Sequence, residues 1–191
     1  MFKVLFVCTG NICRSPMGEF LLRDGLYDRL GDESFDFVIA SAGTFGLTDH
    51  PIEEFAQKTL IEHHNIDGST FRAKKLEAFM VDSADLVLTA TREHRAAAVT
   101  LSPKAVRRTF TIREFDRLCA AVDPAVLEGP DPLERATDLV AAAASQRGLS
   151  RAEKPSDDDV VDPYRGPLDG FIDCATLLKT SLQLPMDLIA G

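Results

Sequence analysis

Val4–Gly18, VLFVCTGNICRSPMG, runs from an unbroken apolar stretch through a loop holding two cysteines to a Ser-Pro pair. Lys3–Val7 is short and continuously apolar, the pattern of a strand buried on both faces of a parallel sheet. The residues after the loop carry helix-start signals. Ser15 is expected to cap the helix, Pro16 to take its first position and Glu19 to sit in its first turn. Met17, Leu21, Leu22, Leu26 and Leu30 recur at helical spacing and are expected to face the sheet.

Further along, strands and helices alternate. Phe35–Ala40 (FDFVIA) is expected as a second strand leading into Ser41-Ala42-Gly43-Thr44, and Pro51 to about His64 as a helix presenting Ile52, Phe55, Ala56 and Leu60 on one face. A short helix is expected around Leu76–Met80, a third strand at Asp85–Ala90 (DLVLTA), an alanine-rich helix, and a fourth strand at Arg108–Ile112 (RTFTI). This order predicts an α/β fold, a four-stranded parallel sheet with helices on both faces, Rossmann-like in plan. Such folds bind ligands beyond the carboxyl ends of their strands, where Cys8–Ser15 lies.

From Arg113 to Val161 the pattern becomes helical, with Pro130 and Pro132 between two stretches and a polar tract, RAEKPSDDDVV, at the end. Leu139–Ala144 (LVAAAA) is expected to pack on the core, and Asp157–Asp159 to form a solvated loop rather than a metal cluster. A last helix is expected over Leu168–Leu184, stopped by Pro185.

The 191 residues suit one domain, with 45% hydrophobic and 27% charged. No apolar run approaches the ~20 residues of a membrane span, and the opening apolar stretch is too short for a signal peptide. We therefore expect a cytoplasmic protein without membrane insertion. The net charge of −9 disfavours nonspecific attraction to nucleic acid or anionic membranes. An anionic ligand must then be captured by local positive potential. Cys8, Cys13, Cys119 and Cys174 form no CxxC and show no ligand spacing with the four histidines, so no metal site and no cofactor is expected. None of the histidines is assigned to chemistry, and all are expected to be lone surface residues. His63 and His64 end a helix, and His94 lies in a charged one.

The Cys8–Ser15 loop has the makings of an anion trap. Backbone N–H groups at a helix N-terminus lack intrahelical partners, and the dipole favours negative charge. Gly10 lets the backbone turn, Asn11 tolerates a left-handed conformation, and Arg14 offers a planar fork matching two phosphate oxygens. No Gly-Lys-Ser/Thr is present, which excludes a Walker loop. A thiol at the base of such a trap is favoured as thiolate and lies in line with a bound phosphorus. Expelling an alcohol then needs a proton donor. Asp162, before Pro163, is a candidate, as are Asp123-Pro124 and Asp131-Pro132 on the same grounds.

Val4–Gly18 resembles the opening of the low-molecular-weight protein tyrosine phosphatases. Ser41-Ala42-Gly43-Thr44 is similar to their second signature, and Val161-Asp162-Pro163-Tyr164 to the loop carrying their general acid. The resemblance covers about Met1–Phe115 and Asp159–Leu184, and it selects Asp162 among the three Asp-Pro pairs. It implies that Cys8 is the nucleophile that becomes a phosphocysteine and that Arg14 holds the phosphoryl oxygens. Asp162 would protonate the leaving group and then activate water. Thr9, Gly10, Asn11, Ile12, Cys13 and Ser15 would line the phosphate loop, Ser15 would stabilise the Cys8 thiolate, and Asn11 and Ser41 would fix the loop by hydrogen bonds. Cys13 admits two interpretations, a reversible disulfide partner of Cys8 or a small buried side chain. Tyr164 and Phe45 would wall the pocket, although Phe45-Gly46-Leu47 departs from the family pattern, so one wall is either Phe45 or aliphatic. A second departure is Leu118–Asp158, a helical and acidic insertion in a phosphatase domain spanning 1–191.

The resemblance implies a phosphatase acting on protein phosphotyrosine, with phosphoproteins and oxyanions as partners. The alternative is a protein arginine phosphatase on the same fold, which tends to have threonine where this chain has Ile12. Thr91–Arg95 (TREHR) and Phe110–Phe115 (FTIREF) are similar to that branch. Ile12, apolar and branched, suits a phenol face better. A thioredoxin-coupled arsenate reductase would need two nearby cysteines, and TATREHRAAAVT holds none. A non-catalytic phosphate-binding module would be expected to lack Cys8 or Asp162.

Overall fold

Phe2–Cys8 forms β1, and its alternate residues divide between two cores. Phe2, Val4, Phe6 and Cys8 belong to one apolar cluster, Leu5 and Val7 to another. Two-residue alternation puts successive side chains on opposite sheet faces, so a strand buried at both parities needs cover on both. In the computed structural model, which describes residues 1–127 and 129–191, that cover comes from seven helices. They are α1 (Arg14–Leu30), α2 (Glu54–His64), α3 (Ala78–Ser83), α4 (Arg92–Leu101), α5 (Ile112–Cys119), α6 (Pro132–Ser145) and α7 (Leu168–Ala190). Helices α1, α2, α5, α6 and α7 supply the larger cluster, and α3 and α4 the smaller.

The other strands are β2 (Phe37–Gly43), β3 (Leu86–Thr89) and β4 (Thr109–Thr111). All pair parallel in the order β2-β1-β3-β4. The register aligns Cys8 with Gly43, Val7 with Thr89, and Thr89 with Thr111. One sheet edge thus carries the ends of all four strands, and the fold is the doubly covered parallel α/β sheet expected.

Phe6, Phe110, Phe115 and Phe171 are fully buried, each contributing about 1.5–3 kcal/mol by removal from water. Phe171 on α7 meets Phe55 on α2 edge-on at 5.7 Å between centroids. Leu139, Val140 and Ala143 of α6 are buried in the same cluster as the sheet, as expected for LVAAAA. Just past α6, the Arg147 guanidinium lies 4.0 Å from the Phe110 ring centre and bonds the Val106 carbonyl at 2.7 Å. The 118–158 segment is therefore built into the body around β4. Its Glu128 lies outside the described residues.

Several expected boundaries move. The second strand begins at Phe37, because Phe37 pairs with Phe2 and nothing in β1 remains for Phe35. Phe35 sits 70% exposed in a 3-10 turn over Gly31–Asp36, where Ser34 Oγ donates to the Gly31 carbonyl. The second helix starts at Glu54 rather than Pro51, capped by the Glu53 carboxylate, which accepts from the N–H groups of Phe55 and Ala56. The short helix falls at Ala78–Ser83, two residues late. Pro185 does not stop α7, which runs to Ala190. Proline costs an interior hydrogen bond to the carbonyl four residues back, but Pro185, Met186 and Ile189 are all buried, and Arg135 bonds the carbonyls of Ile189 and Ala190 at 2.8 Å. Docking outweighs the proline. Asp157–Asp159 is not a solvated loop either. Asp158 pairs with Arg117 and Asp159 with Arg92, both at 2.9 Å.

Candidate active site

The loop after β1 is turned inside out by the segment beyond β2. Thr44, Phe45, Leu47 and Glu53 donate backbone N–H groups to the carbonyls of Cys8, Thr9, Gly10 and Ile12, at 2.9, 2.9, 3.0 and 2.9 Å. With those carbonyls drawn outward, the opposite side of the loop presents amide N–H groups beside the start of α1, an electropositive concavity. Asn11 adopts the left-handed conformation at φ 58° that closes the turn. Gly43, at the end of β2, lies so close that a Cβ there would meet the Thr9 carbonyl at 2.4 Å and the Asn11 nitrogen at 2.9 Å.

The expected helix cap is corrected by these contacts. Helix α1 begins at Arg14, Cys13 gives no side-chain cap, and Ser15 lies inside the first turn with its hydroxyl turned to the loop. Ser15 Oγ is 2.9 Å from Cys8 Sγ, and both residues are buried. Glu19 lies beyond the first turn, and its carboxylate accepts from Ser41 Oγ at 2.6 Å.

Those contacts fix the direction of the hydrogen bonds from Glu19 as far as Ser15. Asn11 Oδ1 accepts from the Lys74 N–H at 2.7 Å, which settles the amide orientation. Asn11 Nδ2 then donates to Ser41 Oγ at 2.8 Å and Ser15 Oγ at 2.9 Å. Ser41 has spent its hydrogen on Glu19, and Ser15 already accepts from Asn11. Ser15 keeps its own hydrogen, which it can donate to Cys8 Sγ once that sulfur is a thiolate. Arg23 anchors the far end, its Nη2 2.7 Å from Glu19 Oε1.

Val160–Tyr164 crosses the same edge. The Val160 N–H donates to the Ala90 carbonyl at 2.8 Å, and Asp159 accepts from the Arg92 N–H at 2.8 Å. Arg14 closes the assembly: Nη1 donates to the Val160 carbonyl at 3.2 Å, and Nη2 to Thr9 Oγ1 at 3.3 Å and Asp162 Oδ2 at 2.7 Å. Its Nε is buried without an acceptor among the described residues, a donor still to be satisfied. Asp162 Oδ1 accepts from the Tyr164 N–H at 3.2 Å, holding the carboxylate as an Asx turn.

Cys8, Thr9, Gly10, Ile12, Cys13 and Arg14 line one pocket of about 230 Å³ with Asp162, Tyr164, Phe45 and Leu47. Asn11, Ser15 and Ser41 stand behind it as the buried support. Phe45, 78% exposed, and Leu47 both contribute, so the wall is aromatic and aliphatic together. All four cysteines are free thiols, and burial pushes the Cys13 thiol well above its usual range.

Sequence inspection missed two residues. Glu19 is four residues after Ser15, on the same helix face, and that spacing was its signal. His94 is a correction, since it is not a surface histidine. It is buried against the loop, Nε2 2.9 Å from Thr9 Oγ1 and Nδ1 2.8 Å from Thr91 Oγ1. Burial, then the Arg14 charge, lowers its pKa to about 4, against opposing pulls from Asp162 and Asp159. Its signal was a Thr-x-x-His opening a helix just past β3.

Comparison with known proteins accords with this geometry. A low molecular weight protein-tyrosine-phosphatase, Etp, from Escherichia coli (strain K12) is 34% identical over 113 residues, 59% of this chain and 70% of the relative. A protein-arginine-phosphatase from Bacillus subtilis (strain 168) is 31% identical over 117 residues, 59% of this chain and 71% of that one. The crystal structure of a low molecular weight protein tyrosine phosphatase from T. tengcongensis superposes with a TM-score of 0.70 at 30% identity, covering 98% of this chain and 99% of that one. Residues 3–147 match the family model described as low molecular weight phosphotyrosine protein phosphatase, and the chain belongs to that family.

Proposed function

We propose that the chain hydrolyses protein phosphotyrosine through a phosphocysteine intermediate. The observation that carries this is convergence: the Cys8 sulfur, the Arg14 guanidinium and the Asp162 carboxylate meet in one pocket at the start of a helix. A phosphoryl group seated there bonds to the loop N–H groups and to Arg14 Nε, the guanidinium donor left without an acceptor among the described residues, while Nη2 keeps Thr9 and Asp162. Cys8 thiolate attacks phosphorus as the P–O bond to the phenol breaks, and Asp162 gives the leaving oxygen its proton. In the second step Asp162, now a carboxylate, takes a proton from water. That water attacks phosphorus and expels the thiolate, which Ser15 receives, and inorganic phosphate is released. Thr9, Gly10, Asn11, Ile12 and Cys13 form the cradle. Ser41 supports it, and Tyr164 and Phe45 flank the entering ring.

Ile12 supports the phenol as substrate. Its branched side chain lies with Phe45, Leu47 and Tyr164 along an apolar slot that suits a ring face. The rival guanidinium substrate is favoured by a specific observation, the 31% identity to a protein-arginine-phosphatase. Phosphoproteins in the cytoplasm, where thiols stay reduced, are the partners of either chemistry, and the 191 residues act as one phosphatase domain. Side-by-side assay on phosphotyrosine and phosphoarginine peptides decides between them. We expect faster turnover of phosphotyrosine, and a shift toward phosphoarginine in Ile12→Thr. Preference for phosphoarginine in the unmodified chain would reject the phenol. Cys8→Ser should abolish turnover while inorganic phosphate still binds, and retained turnover would reject the covalent route.

A further inference from the structure

His94 is a buried imidazole for which the mechanism above has no use. It is the third residue of α4, 7% exposed, and each of its ring nitrogens faces a threonine hydroxyl. Thr9 Oγ1 also receives Arg14 Nη2 at 3.3 Å, and Thr91 Oγ1 the His94 N–H at 3.4 Å.

A neutral imidazole has one ring hydrogen, so two arrangements exist. With the hydrogen on Nδ1, the ring donates to Thr91, and Thr9 must spend its own hydrogen on Nε2. With the hydrogen on Nε2, Thr91 donates to Nδ1, and Thr9 Oγ1 accepts from Nε2 and Arg14 together. Both of its lone pairs are then filled, and its one hydrogen is left over. Each arrangement leaves one hydroxyl hydrogen unmatched among these groups: that of Thr91 in the first, that of Thr9 in the second. Thr9 lines the pocket beside Arg14, so only the second gains a hydrogen bond when an oxyanion arrives there.

We propose that His94 is a positioning residue of the phosphate loop: as the Nε2–H tautomer it donates to Thr9 and so turns the Thr9 hydroxyl hydrogen toward the oxyanion held by Arg14. This rests on the pocket being the oxyanion site described above. Burial and the Arg14 charge keep the ring neutral over the pH range of ordinary catalysis, with Asp162 and Asp159 pulling weakly the other way. A histidine that merely fills space at the start of α4 would be indifferent to both Thr9 and the oxyanion.

The decisive measurement is the His94 tautomer, read from ¹⁵N–¹H long-range correlations of the full chain at pH 7, free and saturated with inorganic phosphate. The Nε2–H form is expected in the saturated protein. The Nδ1–H form or an imidazolium there would overturn the proposal. Inhibition by inorganic phosphate supplies a second readout. Thr9→Val should weaken it by roughly 10- to 100-fold, the scale of a hydrogen bond to a charged group. His94→Ala should weaken it in the same direction, and the double variant no further than Thr9→Val alone. Additive losses would show that His94 acts elsewhere. His94→Gln, which can offer an amide donor to Thr9, should recover part of the loss. Should His94→Ala not fold, the tautomer of the unmodified chain still decides. Failure of the chain to bind phosphate at all would remove the phosphatase function as well. Binding with the other tautomer removes only the role of His94.

Discussion

Asp162 sits at the contact where a single side chain has the most to do. Its carboxylate lies 2.7 Å from Arg14 in a pair that is closed on one side and open on the other, with side-chain exposures of 5% and 47%. Pairs half in solvent contribute about 0–1 kcal/mol, so the contact is a poor stabiliser, and in the proposed mechanism it places the acid over the pocket. Asp162→Asn keeps the shape and removes the transferable proton. We expect kcat on phosphotyrosine peptides to fall by about 10²–10⁴, the scale of a lost general acid, with the thermal midpoint nearly unchanged. The fall should be smaller for para-nitrophenyl phosphate, whose leaving group needs less protonation. A uniform loss on both substrates would assign Asp162 to phosphate binding instead. Asp159 is a weak substitute, since both of its carboxylate oxygens are engaged by Arg92.

At the level of elements, the site is made by one strand edge and by the segments that pull on it. The carbonyls of the first loop are held by the chain beyond β2, which places Gly43 against the Thr9 carbonyl. A methyl group at that distance displaces backbone, not a flexible side chain. Gly43→Ala should therefore depress kcat/KM more than its melting temperature, and weaken inorganic phosphate in parallel. Loss of stability with phosphate affinity intact would show that the strand yields instead of the loop. The strands and the loop were legible in the sequence because both are local: the apolar runs Val4–Val7 and Leu86–Leu88 mark β1 and β3, and Cys-x5-Arg follows the first directly. What was not legible depends on partners far along the chain. Phe35 looks like strand until β1 runs out of residues to pair with it, and Pro185 looks like a stop until Arg135 and the core hold the last turn. His94 looks like surface until α4 is seen to start at the carboxyl edge of the sheet.

Over the whole molecule, the same buried imidazole links the site to stability. The His94 pKa is lowered to about 4 from 6.5, and His64 is also lowered, by burial first and then by Lys179 and His63. A group whose folded pKa lies below its unfolded value binds a proton on unfolding. Between the two values the unfolded chain carries more protons, so stability falls as pH drops through that window and levels off below it. Asp67 and Asp82, held down by hydrogen bonds from Ser69 and Ser102, lose their contribution only below the usual carboxylate range. Asp24 and Asp116, raised by burial, act in the opposite sense, regaining stability as they take up protons above their ordinary value. The slope between neutral pH and the onset of carboxylate titration should thus belong to the histidines, His94 above all. Urea midpoints at pH 7 and pH 5 should show a lower value at pH 5. His94→Gln should remove most of that difference and His64→Gln a smaller part, because His64 sits nearer the surface. A difference undiminished in His94→Gln would mean that the ring takes its proton without cost in the folded chain, and that the polar contacts of its two nitrogens do not require it neutral.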